Sequence, residues 1–204
     1  MIKIYDDFLD EEYYDEIKNL ILNSNMSWHY LNNISGDESK GFVGTGRQFG
    51  FFHNINYYDN ISSPYYKLLY PFLTKVNEVA NSDGNIKTRL DLVTNTGEEL
   101  LHGTHVDFED MAGRNVTSVF YIGDSDGDTI VYNQRKQYEH EEIPKELSIK
   151  SKVTPKANRL VLFSGDYYHT GQSPTNNNRR VIINSNYALN DDNIDNDFYY
   201  NFIK

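Results

Sequence analysis

From about residue 86 onward the chain is written in short runs of β-branched and aromatic residues broken by Gly, Asp, Asn and Pro clusters, a rhythm that narrows the fold more than any other feature. The runs fall at 86–94, 117–122, 129–132, 147–152, 160–163 and 181–187. Short strands at this spacing, with tight turns between them, predict a β-sandwich or barrel. Upstream the apolar period is helical. Asp10 is placed to cap a segment in which Tyr13, Ile17, Leu20 and Ile21 share one face. Ser63-Pro64 opens a second stripe through Tyr65, Leu68, Leu69, Phe72, Leu73, Val76 and Val79. Pro71 lies inside that stripe, so the second helix is expected to kink or break there. The expectation is a single domain over 1–204 that is mainly β with flanking helices. Its parts are a helical N-terminal stretch over about 1–85, a β core over about 86–190 and a short tail. The tail mixes acids with Phe198, Tyr199, Tyr200 and Phe202, and reads either as a docking helix or as a frayed end.

Composition removes whole classes of function. With no cysteine among 204 residues, disulfides, thiolate zinc sites and cysteine nucleophiles are all absent. Any metal must be held by His and carboxylate, which suits iron, manganese or zinc. The net charge of -11 disfavours a phosphate backbone as partner, so no nucleic acid is expected. The first seven residues turn acidic without an apolar signal core. No stretch approaches the roughly 20 apolar residues of a membrane span, so no membrane partner and a cytoplasmic location are expected.

Of the six histidines, His105 stands in the most informative setting, Leu101-His102-Gly103-Thr104-His105-Val106-Asp107. In an extended segment His105 and Asp107 project to the same face, with Val106 turned into the opposite layer. Such a pair alone is far more often a surface His–Asp hydrogen bond than half a metal site. His169 adds weight to it. It follows the strong strand 159–163 and the turn Ser164-Gly165-Asp166, and a polar loop then leads to Arg179-Arg180 at the head of another strand. Two His and one carboxylate on one face of an iron leave three positions for small molecules. An Arg on the next strand presents paired N–H donors to a dicarboxylic co-substrate, which a Lys does not.

In order and spacing, His105-x-Asp107, the distal His169 and the following Arg resemble the 2-oxoglutarate/Fe(II)-dependent dioxygenases, in their prolyl-4-hydroxylase-like branch with its small phage and bacterial members. Residues 117–122 with the turn Asp126-Gly127-Asp128, residues 153–163, and the opening Ile4-Tyr5-Asp6-Asp7-Phe8-Leu9 resemble further family segments, so the likeness spans nearly the whole chain. It implies a double-stranded β-helix (a cupin-like jelly roll) with Fe(II) on His105, Asp107 and His169. It also implies 2-oxoglutarate and dioxygen as co-substrates, with ascorbate as an accompanying reductant. The far carboxylate of 2-oxoglutarate would meet an Arg and the hydroxyl of Tyr121. Arg180 is the favoured anchor and Arg179 the alternative, because strand alternation turns only one of them inward. A carboxylate at 107 implies hydroxylation, since halogenating relatives vacate that position. A peptidyl proline or a small metabolite fits as substrate.

Blander readings stand beside these. His102 is expected at the surface or in a structural role, and His29, His53 and His140 as ordinary residues. Arg89 is expected to pair with an acid near the mouth rather than meet substrate, Trp28 to lie in the core, and Arg47 in a solvated glycine-rich loop. Gly44-x-Gly46 lacks the strand-turn-helix context of a dinucleotide fingerprint. The rival from another class is a non-catalytic cupin-like protein that binds a ligand without turnover, because fold does not settle function. A His/Asp zinc hydrolase ranks lower, for want of a well-placed general base.

Overall fold

The computed structural model describes residues 2–35 except 24 and 25, 48–137 except 110 and 112, and 141–189. The tail from 190, His140, Arg47 and the Gly44-x-Gly46 stretch lie outside the described residues.

Three layers stack on one another. Helices α1 (Glu11–Asn23) and α2 (Tyr66–Ala80) cover one face of an eight-stranded antiparallel sheet. Its strands are β1 (Ile2–Tyr5), β2 (His29–Leu31), β3 (Gly50–Tyr57), β4 (Asn60–Ile61), β5 (Gly84–Thr94), β6 (Asn115–Tyr121), β9 (Arg159–Ser164) and β11 (Arg179–Ala188), in the order β1-β9-β6-β11-β5-β3-β2 with β4 on β3. A three-stranded sheet, β7 (Thr129–Arg135) between β10 (Tyr167–Gly171) and β8 (Ile149–Val153), faces the other side. This is the double-stranded β-helix that the resemblance implied.

The central strands read as near-continuous apolar runs because both of their faces are covered. Phe120, Ile122, Leu160, Leu162, Val181 and Ile183 pack on the helices. Their neighbours Val119, Tyr121, Val161, Phe163 and Ile182 fill the space between the sheets with Val131, Val153 and Tyr167. Each fully buried side chain of this size contributes about 1.5–3 kcal/mol. The alternation fixes the direction of β11: Val181 and Ile183 go to the helices, so Arg180, Ile182, Asn184 and Asn186 face inward.

The N-terminal part departs from the helical reading of 1–85. Strands β1 to β4 lie there, with β1 at one edge of the large sheet and β3 paired to β5 in its body. Sequence periodicity overlooked β3 because Gly50, His53 and Asn54 interrupt its apolar run, and tertiary pairing overrides that weak local signal. Trp28 packs partly buried against the helical-side core, as expected. Asn158, at φ +60, exchanges side-chain hydrogen bonds with the backbone of Leu9 and so fastens the N-terminal segment to the turn before β9.

Asp10 caps α1 through Tyr13 N–H at 3.0 Å. Of the kink or break expected at Pro71, the break does not occur: α2 runs through that residue as one helix. A side chain from α1 restores the ladder at that point: Phe72 N–H donates to the Tyr13 hydroxyl at 3.1 Å, which itself donates to Leu68 C=O at 2.6 Å. Tyr13 thus stands in the i to i−4 bond next to the proline.

Candidate active site

A bridged loop and strand β10 build the site. The segment carrying His105 and Asp107 is not a strand: His105 forms an isolated bridge with His169 of β10, and Asp107 lies in a bend. The two histidines exchange both backbone N–H···O=C bonds, each 3.0 Å. Side chains of such a directly opposed pair stand on one face of the ladder, and the ring centroids are 4.5 Å apart. Val106 turns away and packs on the outer cluster of Ile130, Tyr132 and Tyr168, as the sequence suggested.

Both rings are held by the same device. His105 Nδ1 lies 2.8 Å from Gly103 C=O, and His169 Nδ1 lies 3.0 Å from Tyr167 C=O. A carbonyl only accepts, so Nδ1 carries the proton and each Nε2 presents its lone pair. Those nitrogens stand 3.7 and 3.8 Å from the two oxygens of Asp107, and the three donor atoms all lie within 4.8 Å of one another. Burial, then the neighbouring His169, pushes the His105 pKa down to about 4, which keeps the imidazole neutral. Burial alone raises Asp107, but His169, His105, Lys87 and the Asn186 donor outweigh it and hold the carboxyl below its ordinary range. Asp107 Oδ2 accepts from Thr117 Oγ1 at 2.8 Å and Asn186 Nδ2 at 2.7 Å. Two imidazoles with Nδ1 tied to backbone carbonyls and one carboxylate make a donor set suited to a divalent first-row ion.

A cavity of about 60 Å³ opens beside this triad, and Arg180 lines it together with His102, Thr129 and Asn184. Arg180 is 5% exposed while Arg179 is exposed, so the alternation singles out one of the pair. Arg180 Nη2 donates to Thr129 Oγ1 at 2.7 Å, and its Nε is buried without a partner. Burial works against the charge of this guanidinium, and among the described residues no carboxylate touches it. The Tyr121 hydroxyl donates to the same Thr129 Oγ1 at 2.7 Å. Thr129 rather than Tyr121 lines the cavity, with Tyr121 standing behind it. Thr129, Thr117 and Asn186 escaped the sequence reading. Period-two counting inward from Arg180 was the one signal available for Asn186, and none marked the threonines.

The remaining expectations divide. His102 is buried at 2% exposure in the cavity wall, not at the surface; its Nε2 meets Ser173 Oγ at 3.0 Å. Burial, then the charge of Arg180, pushes its pKa down to about 3, so it faces the cavity neutral. Arg89 pairs with Asp91 at 2.7 Å, as expected, and also lines the cavity. His53 is a structural residue, bonded to Ser27 C=O and Ser63 Oγ. His29 is exposed on β2.

Residues 92–188 match the family model of the 2OG-Fe(II) oxygenase superfamily, a span that includes the triad, Thr129 and both arginines. This segment is a 2OG-Fe(II) oxygenase core. The oxygenase works with Fe(II), 2-oxoglutarate and dioxygen, the reactants its family implies. Solved structures share the fold. A Trichoplax adhaerens prolyl hydroxylase, in complex with a hypoxia inducible factor oxygen degradation domain peptide, is 16% identical with a TM-score of 0.61 over 92% of this chain and 83% of that one. A Burkholderia pseudomallei oxidoreductase of the 2OG-Fe(II) oxygenase family is 10% identical with a TM-score of 0.64, covering 92% and 84%. A Pseudomonas putida prolyl-4-hydroxylase is 13% identical with a TM-score of 0.53, covering 93% and 92%. At these identities the likeness is one of fold. No curated protein matches the chain. Among the described residues no helix is long and apolar enough to cross a membrane.

Proposed function

We propose that the oxygenase hydroxylates a C–H bond of a small-molecule or peptide substrate, with His105, Asp107 and His169 as the ligands of Fe(II) and Arg180 as the anchor of 2-oxoglutarate. The observation that carries this reading is a cluster of His105, Asp107 and His169 whose two histidines line the same cavity as the buried guanidinium of Arg180, which touches no carboxylate among the described residues. When bound, iron and 2-oxoglutarate supply oxidative chemistry in which dioxygen places one oxygen atom in succinate, with loss of carbon dioxide, and the other on the substrate.

The chain's own residues hold and orient. His105 and His169 offer fixed Nε2 lone pairs, and Asp107 is kept ionised by its neighbours. Arg180 takes the far carboxylate of the co-substrate, and Thr129 adds its hydroxyl. Tyr121 supports that hydroxyl from behind, and Arg179 takes no part. The apolar walls of Val119 and Ile182 limit water around the reacting atoms.

Incubation with Fe(II), ascorbate and 2-oxoglutarate tests the reading through succinate release, with Asp107→Ala as control. Succinate from the parent and none from the control supports it. Iron-independent or absent turnover together with no co-substrate binding favours a jelly-roll protein that binds ligand without chemistry.

A further inference from the structure

We infer that the substrate of this oxygenase carries a carboxylate, bound by the Nη1 edge of Arg89 and the side-chain amide of Asn184. The inference rests on the iron/2-oxoglutarate reading above and adds to it the class of molecule oxidised.

Strand β5 alternates across the large sheet. Leu90 is fully buried on the helical side, whereas Arg89, Asp91 and Val93 line the cavity. Arg89 is half fixed. Its Nη2 donates to Ile34 C=O and to Asp91 Oδ2, both at 3.2 Å, and its Nε stands 2.7 Å from Asp91 Oδ1. The Phe52 ring flanks the guanidinium carbon at 5.9 Å. Nη1, by contrast, meets no acceptor among the described residues, and the side chain keeps 20% exposure. The result is a cation whose orientation is set on one edge and whose other edge is unused.

Asn184 is its cross-strand neighbour, since β11 pairs with β5 in the register Asn184↔Arg89. Asn184 also lines the cavity, and its Nδ2 donates to no acceptor among the described residues. Among those residues, two N–H groups without acceptors therefore stand on neighbouring strands of one face. Burying either under a neutral, apolar substrate costs the desolvation of that group. A carboxylate satisfies both, one oxygen on the guanidinium edge and the other on an amide N–H.

The position suits a substrate rather than a second copy of the co-substrate. Along the inward face of β11, Arg180 marks the co-substrate end, and Asn186 touches Asp107 at the metal end. Asn184 comes one inward step before Asn186, so a group held there lies next to the metal donors. Lys87, the preceding residue on the same face of β5, adds a cation to this end beyond the Arg89–Asp91 pair.

The test titrates protein loaded with Zn(II) and 2-oxoglutarate, using acetate and, in parallel, acetamide. The readout is the ¹⁵N–¹H signals of the Arg89 guanidinium and the Asn184 amide. Calorimetry first establishes that zinc and 2-oxoglutarate bind. If they do not, the iron/2-oxoglutarate reading fails on its own, and the same titration of unloaded protein still interrogates Arg89. The expected result is a saturable response to acetate at least tenfold stronger than to acetamide. Arg89→Lys and Asn184→Ala should each weaken acetate several-fold. The paired change Arg89→Met with Asp91→Asn removes both charges together and should abolish the response while zinc still binds. Equal responses to acetate and acetamide overturn the inference. So does acetate affinity unchanged in the paired variant or in Asn184→Ala, which would place acetate on the metal itself.

Discussion

Asn186 donates to the same oxygen of Asp107 that Thr117 does, at 2.7 and 2.8 Å, and the two donors are themselves 3.2 Å apart. With Oδ2 held by two donors, Asp107 is fixed in rotation, and Oδ1 is left to the metal side. Removing a group that orients a ligand costs metal affinity without removing a ligand. For Asn186→Ala the expected loss is about 10- to 100-fold in Mn(II) affinity, read by calorimetric titration, at an unchanged far-ultraviolet circular dichroism spectrum. Unchanged affinity would mean that Thr117 alone suffices.

The co-substrate anchor gives a paired expectation. Arg180→Met removes the buried guanidinium and should raise the KM for 2-oxoglutarate by at least tenfold, whereas Arg179→Ala on the exposed side of the same strand should leave it unaltered. Arg180→Lys should recover little, because an ammonium does not reproduce the guanidinium fork. Thr129→Val should raise KM by a smaller factor. Measurement of succinate release against 2-oxoglutarate concentration separates the four variants.

Tyr13→Phe tests the mended ladder in α2. The substitution keeps the ring and deletes the hydroxyl between Phe72 N–H and Leu68 C=O. Loss of that bridge should cost about 1–3 kcal/mol in urea unfolding. Hydrogen exchange at the Phe72 amide should accelerate more than at Val76, one turn further on.

Asp6 ties the end of β1 to β9 through Arg159, with Lys156 as a second partner. The Arg159 hydrogen bond, the largest cause, lowers its pKa from 3.8 to about 2. A depressed carboxyl stabilises the fold fully above its unfolded value, and that contribution is lost as pH falls through the folded one. Thermal melts should therefore show Asp6→Asn less stable than the parent at pH 6, with the gap closing between about pH 4 and pH 2. A gap that stays constant across this window rules the pairing out as its source.

Much of this molecule can be read from its residues, and the reasons for the failures are physical. Strands β5, β6, β9 and β11 announce themselves because both of their faces are buried, so their apolar runs are long and β-branched. The short β10, Tyr-Tyr-His-Thr-Gly, has no such run and is held by its pairing with β7, a contact no local window contains. The clustering of His105, Asp107 and His169 was legible from type and spacing, but the extended strand assumed for His105 and Asp107 is a single bridge followed by a bend. Arg180 could be separated from Arg179 once Val181 and Ile183 were assigned to the helical side. Thr129 stayed hidden, since nothing in its neighbourhood distinguishes a hydroxyl that faces a guanidinium from one that faces water. Of the surface and structural roles open to His102, its bond to Ser173 in the folded interior fits the structural one, a choice that the polar residue before Gly103 did not reveal.

The doubly bonded contact between His105 and His169 sets the spacing of two donor rings by main chain, so the gap between them does not depend on an ion to hold it open. With the two rings as the proposed ligands, stripping the site with a chelator should leave its template standing. Cobalt or manganese should then replace iron without any refolding of the chain.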